Sequence, residues 1–194
     1  TNALGHVTDI TRYNAHGQPE VIIDPNGLTT TLTYDNRQRL VSRIVGTEVT
    51  DYQYDGVGQV TRITFPDNSF VSYTYDDAHR LTEITDSLSN AIRYTLDAAG
   101  NRTKEEVFDT SNALAQTRSQ EFDALSRLWK SIGAQNQLTE LAYDANGNLK
   151  QTTDPLLHTA TNQFDALDRL IQANDPAGGQ ALQQHDALDQ VTQV

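Results

Sequence analysis

Hydrophobic and polar residues alternate along short segments of this chain, and many of these segments end in an aromatic residue. In residues 28–34 the apolar side chains fall on one parity and three of the four threonines on the other: Leu28, Leu32 and Tyr34 against Thr29, Thr31 and Thr33. A period of two is typical of a β-strand with one buried face. The same alternation leads up to Tyr54, Tyr75 and Tyr143. The pattern therefore predicts a series of short strands.

The segment YDNRQRL at residues 34–40 is one copy of a repeated motif. Versions of it begin at residues 13, 34, 54, 75, 96, 122, 143, 164 and 185 of the 194-residue chain. A spacing near 21 residues indicates that each unit is one structural step that buries its apolar face against its neighbours. We therefore expect residues 1–194 to form a single array of about nine repeats.

Each position of the motif has residue types suited to one structural task. The aromatic residue belongs to a strand, the following Asp can accept hydrogen bonds from the backbone of a turn, and Gly supplies a positive φ. An aliphatic residue then begins the return strand. The residues assigned to these positions of the structural repeat motif are Tyr34, Asp35, Arg39, Leu40, Tyr54, Asp55, Gly58, Tyr75, Asp76, Arg80, Leu81, Asp97, Gly100, Phe122, Asp123, Arg127, Leu128, Tyr143, Asp144, Gly147, Phe164, Asp165, Arg169 and Leu170.

A second turn signal lies about half a period after each motif, as in DPNG at residues 24–27 and DPAG at residues 175–178. Two strands and two turns per unit predict an all-β fold, in which tandem hairpins form a long, curved, twisted antiparallel sheet. The one interval of 26 residues predicts a protruding loop at 109–116. Gln38 occupies a turn position that favours Gly, and we expect either mild strain there or a different turn. Pro19 and Arg102 replace the usual Leu or Val and mark irregular units.

Composition narrows the classes of function. The hydrophobic fraction is 37%, below the usual ~45–50%, so the core should be thin. The formal charge of -12 argues against nucleic acid or anionic lipid as a partner. There is no Cys and no apolar run long enough to span a bilayer. The lack of Met and the start in mid-unit suggest a fragment of a longer protein.

Two other repeat folds have comparable periods. A leucine-rich repeat needs an LxxLxLxxN core, which does not occur here. Propeller blades have periods of ~40 residues or more. Two units per blade would fit that period, but alternate units do not differ systematically. The hairpin array remains the preferred interpretation.

The combination of aromatic residue, Asp, two further residues, turn residue, Arg and Leu resembles the YD repeat of RHS proteins. The best matches are YDNRQRL at 34, YDDAHRL at 75, FDALSRL at 122, YDANGNL at 143 and FDALDRL at 164, and the likeness covers essentially the whole chain. It implies a segment of a shell, resembling those of bacterial toxin-encapsulating proteins, that encloses a C-terminal toxin or effector. The parent would then be secreted or at the cell surface. Nine units would leave two open sheet edges, at which copies could associate.

We expect no enzymatic activity and no cofactor. The string DPNGL at residues 24–28 resembles the DPxGL motif of self-cleaving RHS segments. Here it continues directly into a strand and further repeats, so we interpret it as a turn. The Asp residues lack the spacing of calcium-binding loops, and the five His residues lack metal-site spacing. Arg39, Arg80, Arg127 and Arg169 share one repeat position and predict a ladder of salt bridges with the turn Asp residues. The alternative function is carbohydrate binding or adhesion, although Trp129 more plausibly packs in the sheet.

Overall fold

The structure, a computed structural model, describes residues 5–193, and these contain 19 β-strands and no helix. The strands are β1 (Asp9–Tyr13), β2 (Pro19–Ile23), β3 (Thr29–Tyr34), β4 (Leu40–Val45), β5 (Glu48–Tyr54), β6 (Val60–Thr64), β7 (Phe70–Tyr75), β8 (Leu81–Asp86), β9 (Ala91–Leu96), β10 (Arg102–Phe108), β11 (Leu114–Phe122), β12 (Leu128–Ile132), β13 (Leu138–Tyr143), β14 (Leu149–Thr153), β15 (Thr159–Phe164), β16 (Leu170–Asn174), β17 (Gln180–Leu182), β18 (Gln184–His185) and β19 (Val191–Gln193). The described chain is thus all-β, as predicted.

The strands pair in the order in which they occur in the sequence. The first of two compact units contains the residues up to Ile92 together with Phe108–Ala113, and in it β1 to β8 pair antiparallel, each with the next. The second unit contains Arg93–Val107 and the residues from Leu114 onward, and β11 to β17 pair there in the same way. Strand β18 pairs with β19. The prediction of tandem antiparallel hairpins is confirmed.

Hairpins with and without a register shift alternate along each unit. Between β3 and β4 the register shifts after the pair Thr33 and Ser42, so that Tyr34 lies opposite Leu40. Equivalent shifts occur in the hairpins β5–β6, β7–β8, β11–β12, β13–β14 and β15–β16, whereas the β2–β3 and β6–β7 pairs have none. Each shift is a β-bulge, in which two residues of one strand oppose one of the other. It brings the motif Leu or Val directly opposite the motif aromatic residue.

The core of this fold is thin. Among the described residues only Ala91 is buried, at 5% exposure, and most strand residues are partly exposed. In the first unit one face of the sheet carries apolar cross-strand pairs such as Tyr52 with Ile63, while the other carries polar pairs such as Gln53 with Arg62. Since side chains alternate between the two faces of a strand, the period-two pattern of the sequence accounts for this division. The thin core predicted from composition is confirmed.

The 26-residue interval between the motifs at residues 96 and 122 does not form the loop that was predicted. No protruding polar loop covers residues 109–116. Instead, Asp109 and Asn112 form a short turn of the usual kind, and β10 and β11 are seven and nine residues long. The turn bonds are Asn112 N–H to the Asp109 carbonyl at 2.9 Å and Asp109 N–H to the Ala113 carbonyl at 3.0 Å. The prediction was wrong because polar residues suit an exposed strand as well as a loop, and the surplus residues extend the strands.

Pro19 and Arg102 were predicted to mark irregular units; this is confirmed at Pro19, and at Arg102 it stays a prediction. Pro19 begins β2 and pairs with Tyr13, and the β1–β2 register shifts twice rather than once, so this unit is irregular as expected. Arg102 begins β10, and its guanidinium carbon lies 3.6 Å from the centroid of the Tyr94 ring.

The described residues contain no helix that could cross a membrane.

Candidate functional site

The candidate site is the row of motif turns, each of which follows the aromatic residue of a repeat. In the turn at Asp35, the Asp35 N–H donates to the Arg39 carbonyl and the Gln38 N–H donates to the Asp35 carbonyl, both at 2.9 Å. This is the pattern of a three-residue hairpin loop with a G1 bulge. The same pair of backbone bonds is present in the turns that begin at Asn14, Asp35, Asp55, Asp76, Asp97, Asp123, Asp144, Asp165 and Asp186.

The Asp side chain accepts hydrogen bonds from backbone N–H groups of its own turn. Oδ1 of Asp35 accepts from the backbone N–H groups of Arg37 at 2.8 Å and Arg39 at 3.0 Å. Oδ1 of Asp165 accepts equivalently from Leu167 at 2.9 Å and Arg169 at 3.1 Å. Asn14 does the same through its amide oxygen. The side-chain to backbone bonds predicted for these turns are therefore present.

The last loop residue of each motif turn has a positive φ. Gly58, Gly100 and Gly147 have values of 106°, 92° and 96°. Five turns use another residue at this position: Gln38, His79, Ser126, Asp168 and Asp189, with φ from 59° to 66°. Gln38, at 66°, adopts the left-handed conformation that was expected to be strained. A Cβ atom makes this conformation costly for residues other than Gly, Asn and Asp.

The second carboxylate oxygen of the motif Asp binds the motif Arg of the same repeat. Oδ2 of Asp35 accepts from Arg39 Nε at 2.8 Å and lies 2.7 Å from Nη2. Three further pairs have the same two-bond geometry: Asp76 with Arg80, Asp123 with Arg127, and Asp165 with Arg169. These side chains are about a quarter to a third exposed. The predicted Arg–Asp pairs within repeats are present.

Arg39, Arg127 and Arg169 also contact the following repeat. Arg39 lies over the ring of Tyr54, with its guanidinium carbon 4.4 Å from the centroid, and Nη1 donates to the Asp55 carbonyl at 3.3 Å. Arg127 lies over Tyr143 at 4.5 Å. Arg169 has no such ring, since His185 holds the aromatic position, and Nη1 instead donates to the Asp186 carbonyl at 3.1 Å. The motif Arg therefore links one repeat to the next.

The hydroxyl of the motif Tyr forms a second link between repeats. It donates to a backbone carbonyl at the start of the return strand of the preceding repeat: Tyr34 to Pro19 at 2.9 Å, Tyr54 to Leu40 at 2.7 Å, Tyr75 to Val60 at 2.8 Å and Tyr143 to Leu128 at 2.7 Å. Sequence reasoning missed this role and assigned Tyr only to the sheet face. The preference for Tyr over Phe in the motif was the available signal.

Two repeats without a Tyr hydroxyl contact the equivalent carbonyl with another side chain. His185 takes the aromatic position of its repeat, and its Nε2 lies 2.8 Å from the Leu170 carbonyl. In the repeat of Phe164, the amide of Asn162 donates to the Leu149 carbonyl at 3.1 Å. These substitutions indicate that satisfying this carbonyl matters to the fold, because a partly buried carbonyl left without a donor is costly.

The ionisation of the motif groups follows from these contacts. The side-chain hydrogen bond from Arg169 lowers the pKa of Asp165 to about 2, despite a partial burial that would raise it. Side-chain hydrogen bonds from Arg80 and Arg127 likewise lower the pKa of Asp76 and of Asp123. Partial burial raises the pKa of the Tyr54 and Tyr75 hydroxyls. The Asp residues are thus held ionised and the Tyr residues protonated at neutral pH.

In these arrangements the polar groups of the motif are engaged by other groups of the sheet. Both carboxylate oxygens of Asp35 are occupied by donors of its own turn and its own Arg. Leu40 and Leu81 face Tyr34 and Tyr75 across their hairpins, and Leu128 and Leu170 face Phe122 and Phe164. Within residues 5–193 no cluster of His, Cys, Asp and Glu side chains has the arrangement of a metal site.

Other sequence candidates lie outside this row. In DPNGL, Oδ1 of Asp24 accepts from the backbone N–H groups of Asn26 at 2.8 Å and Leu28 at 2.9 Å, so the segment forms a hairpin turn between β2 and β3. His158 Nδ1 lies 3.0 Å from Oδ2 of Asp154 in an exposed turn. Trp129 lies on β12, is 36% exposed and has the Lys130 ammonium 4.2 Å from its ring centroid.

Bulged hairpins joined through a motif Tyr, Asp and Arg define a β-hairpin repeat protein with a structural motif. The RHS Repeat family profile matches residues 13–51, 54–91, 75–107 and 143–181, which together make up more than half of the chain. The chain therefore belongs to the RHS repeat family, and the resemblance noted in the sequence is confirmed.

Solved structures with the same fold come from toxin complexes. The chain is similar to the crystal structure of TcdB2-TccC3-TEV, with a TM-score of 0.67, 17% identity, and coverage of 96% of this chain and 12% of that one. It is also similar to the Tc holotoxin pore of Photorhabdus luminescens carrying the TccC3 change D651A, with a TM-score of 0.61, 14% identity, and coverage of 95% and 13%. For TcdB2-TccC3 without the hypervariable C-terminal region the values are 0.62, 15%, and 95% and 12%. No curated protein matches the chain.

The chain spans about an eighth of the length of these proteins. At such identities the likeness establishes a common fold. Together with the family membership, it supports a structural role for the repeats.

Proposed function

We propose that this chain is a non-enzymatic wall segment of an RHS shell that encloses and protects a C-terminal toxin or effector polypeptide until delivery. In this proposal residues 1–194 form a single array of about nine repeats within a longer, secreted or surface-exposed parent. The partners are the remaining repeats of the shell and the enclosed polypeptide. The fold shared with TcdB2-TccC3 supports the shell, and the enclosed polypeptide is carried over from the family resemblance.

The observation that carries the proposal is the use of the motif side chains. The Tyr hydroxyl, the Arg guanidinium and both oxygens of the Asp carboxylate are engaged in linking a turn to its own repeat or to the neighbouring one, as at Asp35, Arg39 and Tyr54. Residues that bind a substrate need donors or acceptors left over for it. A motif whose polar groups are engaged within the sheet is suited to building a wall.

Protease protection in the parent protein tests the enclosure. The full-length parent and its C-terminal polypeptide expressed alone are digested with trypsin, and the lifetime of the polypeptide is measured by immunoblot. Enclosure predicts that the polypeptide persists in the parent after it has been degraded in isolation. Equal rates of degradation in the two samples would overturn the proposal. Denaturing the parent before digestion is the control that the cleavage sites are intact.

Two measurements on the isolated chain address the rival functions. Prolonged incubation followed by mass spectrometry should give one intact mass, whereas cleavage within DPNGL at residues 24–28 would indicate an autoproteolytic activity. A glycan array should show no specific binding. Saturable binding of one glycan at micromolar concentration would favour the carbohydrate-binding alternative over a wall.

A further inference from the structure

The second unit contains a concavity with a cationic lining, although the chain as a whole has a formal charge of -12. Its volume is about 260 Å³. Six residues from β10, β11 and β12 line it: Arg102, Lys104, Glu105, Arg118, Gln120 and Ser131. Three of the 14 Lys and Arg residues therefore meet at one place, with one carboxylate among them. We call this place the anion concavity.

Arg102 is fixed in position at the concavity. Its guanidinium carbon lies 3.6 Å from the centroid of the Tyr94 ring, and Nη1 lies 3.3 Å from Oε2 of Glu105. The Arg102 side chain is nevertheless 46% exposed. A guanidinium stacked on a ring loses little further conformational freedom when it binds a ligand, because its plane is already set.

Arg118 is the cation of the concavity that has no carboxylate partner among the described residues. No carboxylate among residues 5–193 lies within salt-bridge distance of it, in contrast to the four motif Arg residues. With the Gln116 amide turned so that its oxygen faces the guanidinium, that oxygen accepts from Nε and Nη2 of Arg118, both at 3.1 Å. A neutral partner thus orients Arg118 while its charge remains available to a ligand.

The remaining lining adds neutral hydrogen-bonding groups and a further cation. Gln120 of β11 and Ser131 of β12 are directly opposite each other in register and offer amide and hydroxyl donors. Lys104 lies 2.6 Å from Oε1 of Glu106 through its ammonium group. A guanidinium beside neutral donors is a set of groups that recognises oxyanions, to which charge-assisted hydrogen bonds are strong. A water molecule takes up ~30 Å³ of liquid, so the volume exceeds what a few waters fill.

From these observations we propose that the anion concavity binds one oxyanion group of an external ligand, with Arg118 as the principal contact. The shared chemistry is a carboxylate or phosphate group that accepts hydrogen bonds from Arg118, Arg102, Gln120 and Ser131. This proposal does not rest on the enclosure of a toxin, since an oxyanion can be presented by a polypeptide or by a small molecule.

Titration calorimetry on the intact 194-residue chain tests the site. One arm adds sodium phosphate, and the other adds a short capped peptide with a single Glu side chain. The ionic strength is held constant with sodium chloride, because added salt alone screens exposed charges. We expect saturable binding with a dissociation constant near ~1 mM in at least one arm. The arm that saturates identifies the source of the oxyanion, and saturation in neither arm overturns the proposal.

Variants make the result specific to the site. Arg118→Gln should weaken binding about tenfold or more, because the oxyanion loses its unneutralised partner. Arg43→Gln is the matched control, since Arg43 lies on β4, outside the concavity, and also has no carboxylate partner among the described residues. Equal weakening by both variants would reduce the effect to general electrostatics and overturn the proposal. Lys104→Gln provides a second site variant if Arg118→Gln lowers the thermal midpoint.

Discussion

The turn at residues 154–157 allows the cost of a left-handed backbone to be measured against an internal control. Leu157 has a φ of 67° and is 82% exposed, whereas the adjacent Leu156 is 75% exposed and does not have a positive φ. Each backbone N–H donates to Asp154, that of Leu156 to Oδ1 at 2.8 Å and that of Leu157 to the carbonyl at 3.0 Å. Replacement of either Leu by Gly keeps these bonds and exposes almost no new apolar surface. The two variants therefore differ mainly in backbone strain.

The expected effects have opposite signs. A left-handed conformation costs an L-residue ~1–2 kcal/mol, and Gly does not incur this cost. Gly also gives the unfolded chain more freedom, which destabilises the fold by ~0.4–1 kcal/mol. Leu157→Gly should thus stabilise the second unit by about 0.5–1 kcal/mol, and Leu156→Gly should destabilise it by a similar amount. With a urea m-value of ~2 kcal/mol/M, each midpoint moves by roughly 0.3–0.5 M.

Urea unfolding followed by the fluorescence of Trp129, the single tryptophan, is the appropriate assay. Trp129 lies in the same unit as the turn and shares a shallow concavity with Thr153, the residue before Asp154. The reporter therefore follows the strands that the turn connects. A decrease in midpoint for Leu157→Gly equal to that for Leu156→Gly would refute the argument from backbone strain. A rise for Leu157→Asn would support it independently, since Asn tolerates the left-handed region.

Three further changes test side-chain contacts between repeats and within one repeat. Tyr54→Phe should destabilise the first unit by ~0.5–1.5 kcal/mol, because the Leu40 carbonyl loses the Tyr54 hydroxyl as a donor. Tyr52→Phe is the control and should have little effect, since the Tyr52 hydroxyl has no hydrogen-bond partner within residues 5–193. Urea unfolding compares the two variants. Asn162→Ala should destabilise the second unit by ~1 kcal/mol, because the Leu149 carbonyl loses the Asn162 amide as a donor. Adding Phe164→Tyr should restore part of this stability by supplying a hydroxyl to the same carbonyl. No recovery in the double variant would contradict the role of Asn162 as that donor. The pKa of Asp165 is lowered to about 2 in the folded chain, so the stabilising contribution of this carboxylate is complete above the unfolded-state pKa near ~3.9 and disappears as the pH falls through about 2. The thermal midpoint should therefore fall between pH 5 and pH 2, and it should fall less steeply in Asp165→Asn. A constant midpoint over this range, or an equally steep fall in the variant, would contradict the Asp165–Arg169 pairing.

The parts of the fold that the sequence predicted depend on local rules. Strand parity, the Asp turns and the positive φ at Gln38 follow from residues within one repeat, and a nine-fold recurrence makes each rule visible several times. The hydroxyl bond from Tyr54 to Leu40 was not predicted because it joins residues 14 apart in different hairpins. The loop expected at 109–116 was wrong because composition does not separate an exposed loop from an exposed strand. The anion concavity could not be foreseen, since it requires three neighbouring strands to be in register.

The spacing of the links between repeats has a consequence for how such chains change in evolution. The Tyr hydroxyl reaches back 14 or 15 residues to its acceptor at every Tyr-containing link. Duplication or loss of a whole unit by recombination therefore recreates the same junction and leaves no mismatched neighbour. An insertion of a few residues would instead change the distance along the chain between the Tyr and its acceptor. It can be accommodated where both strands of a hairpin are longer, as in β10 and β11. Array length can thus change in steps of one repeat without altering the junction.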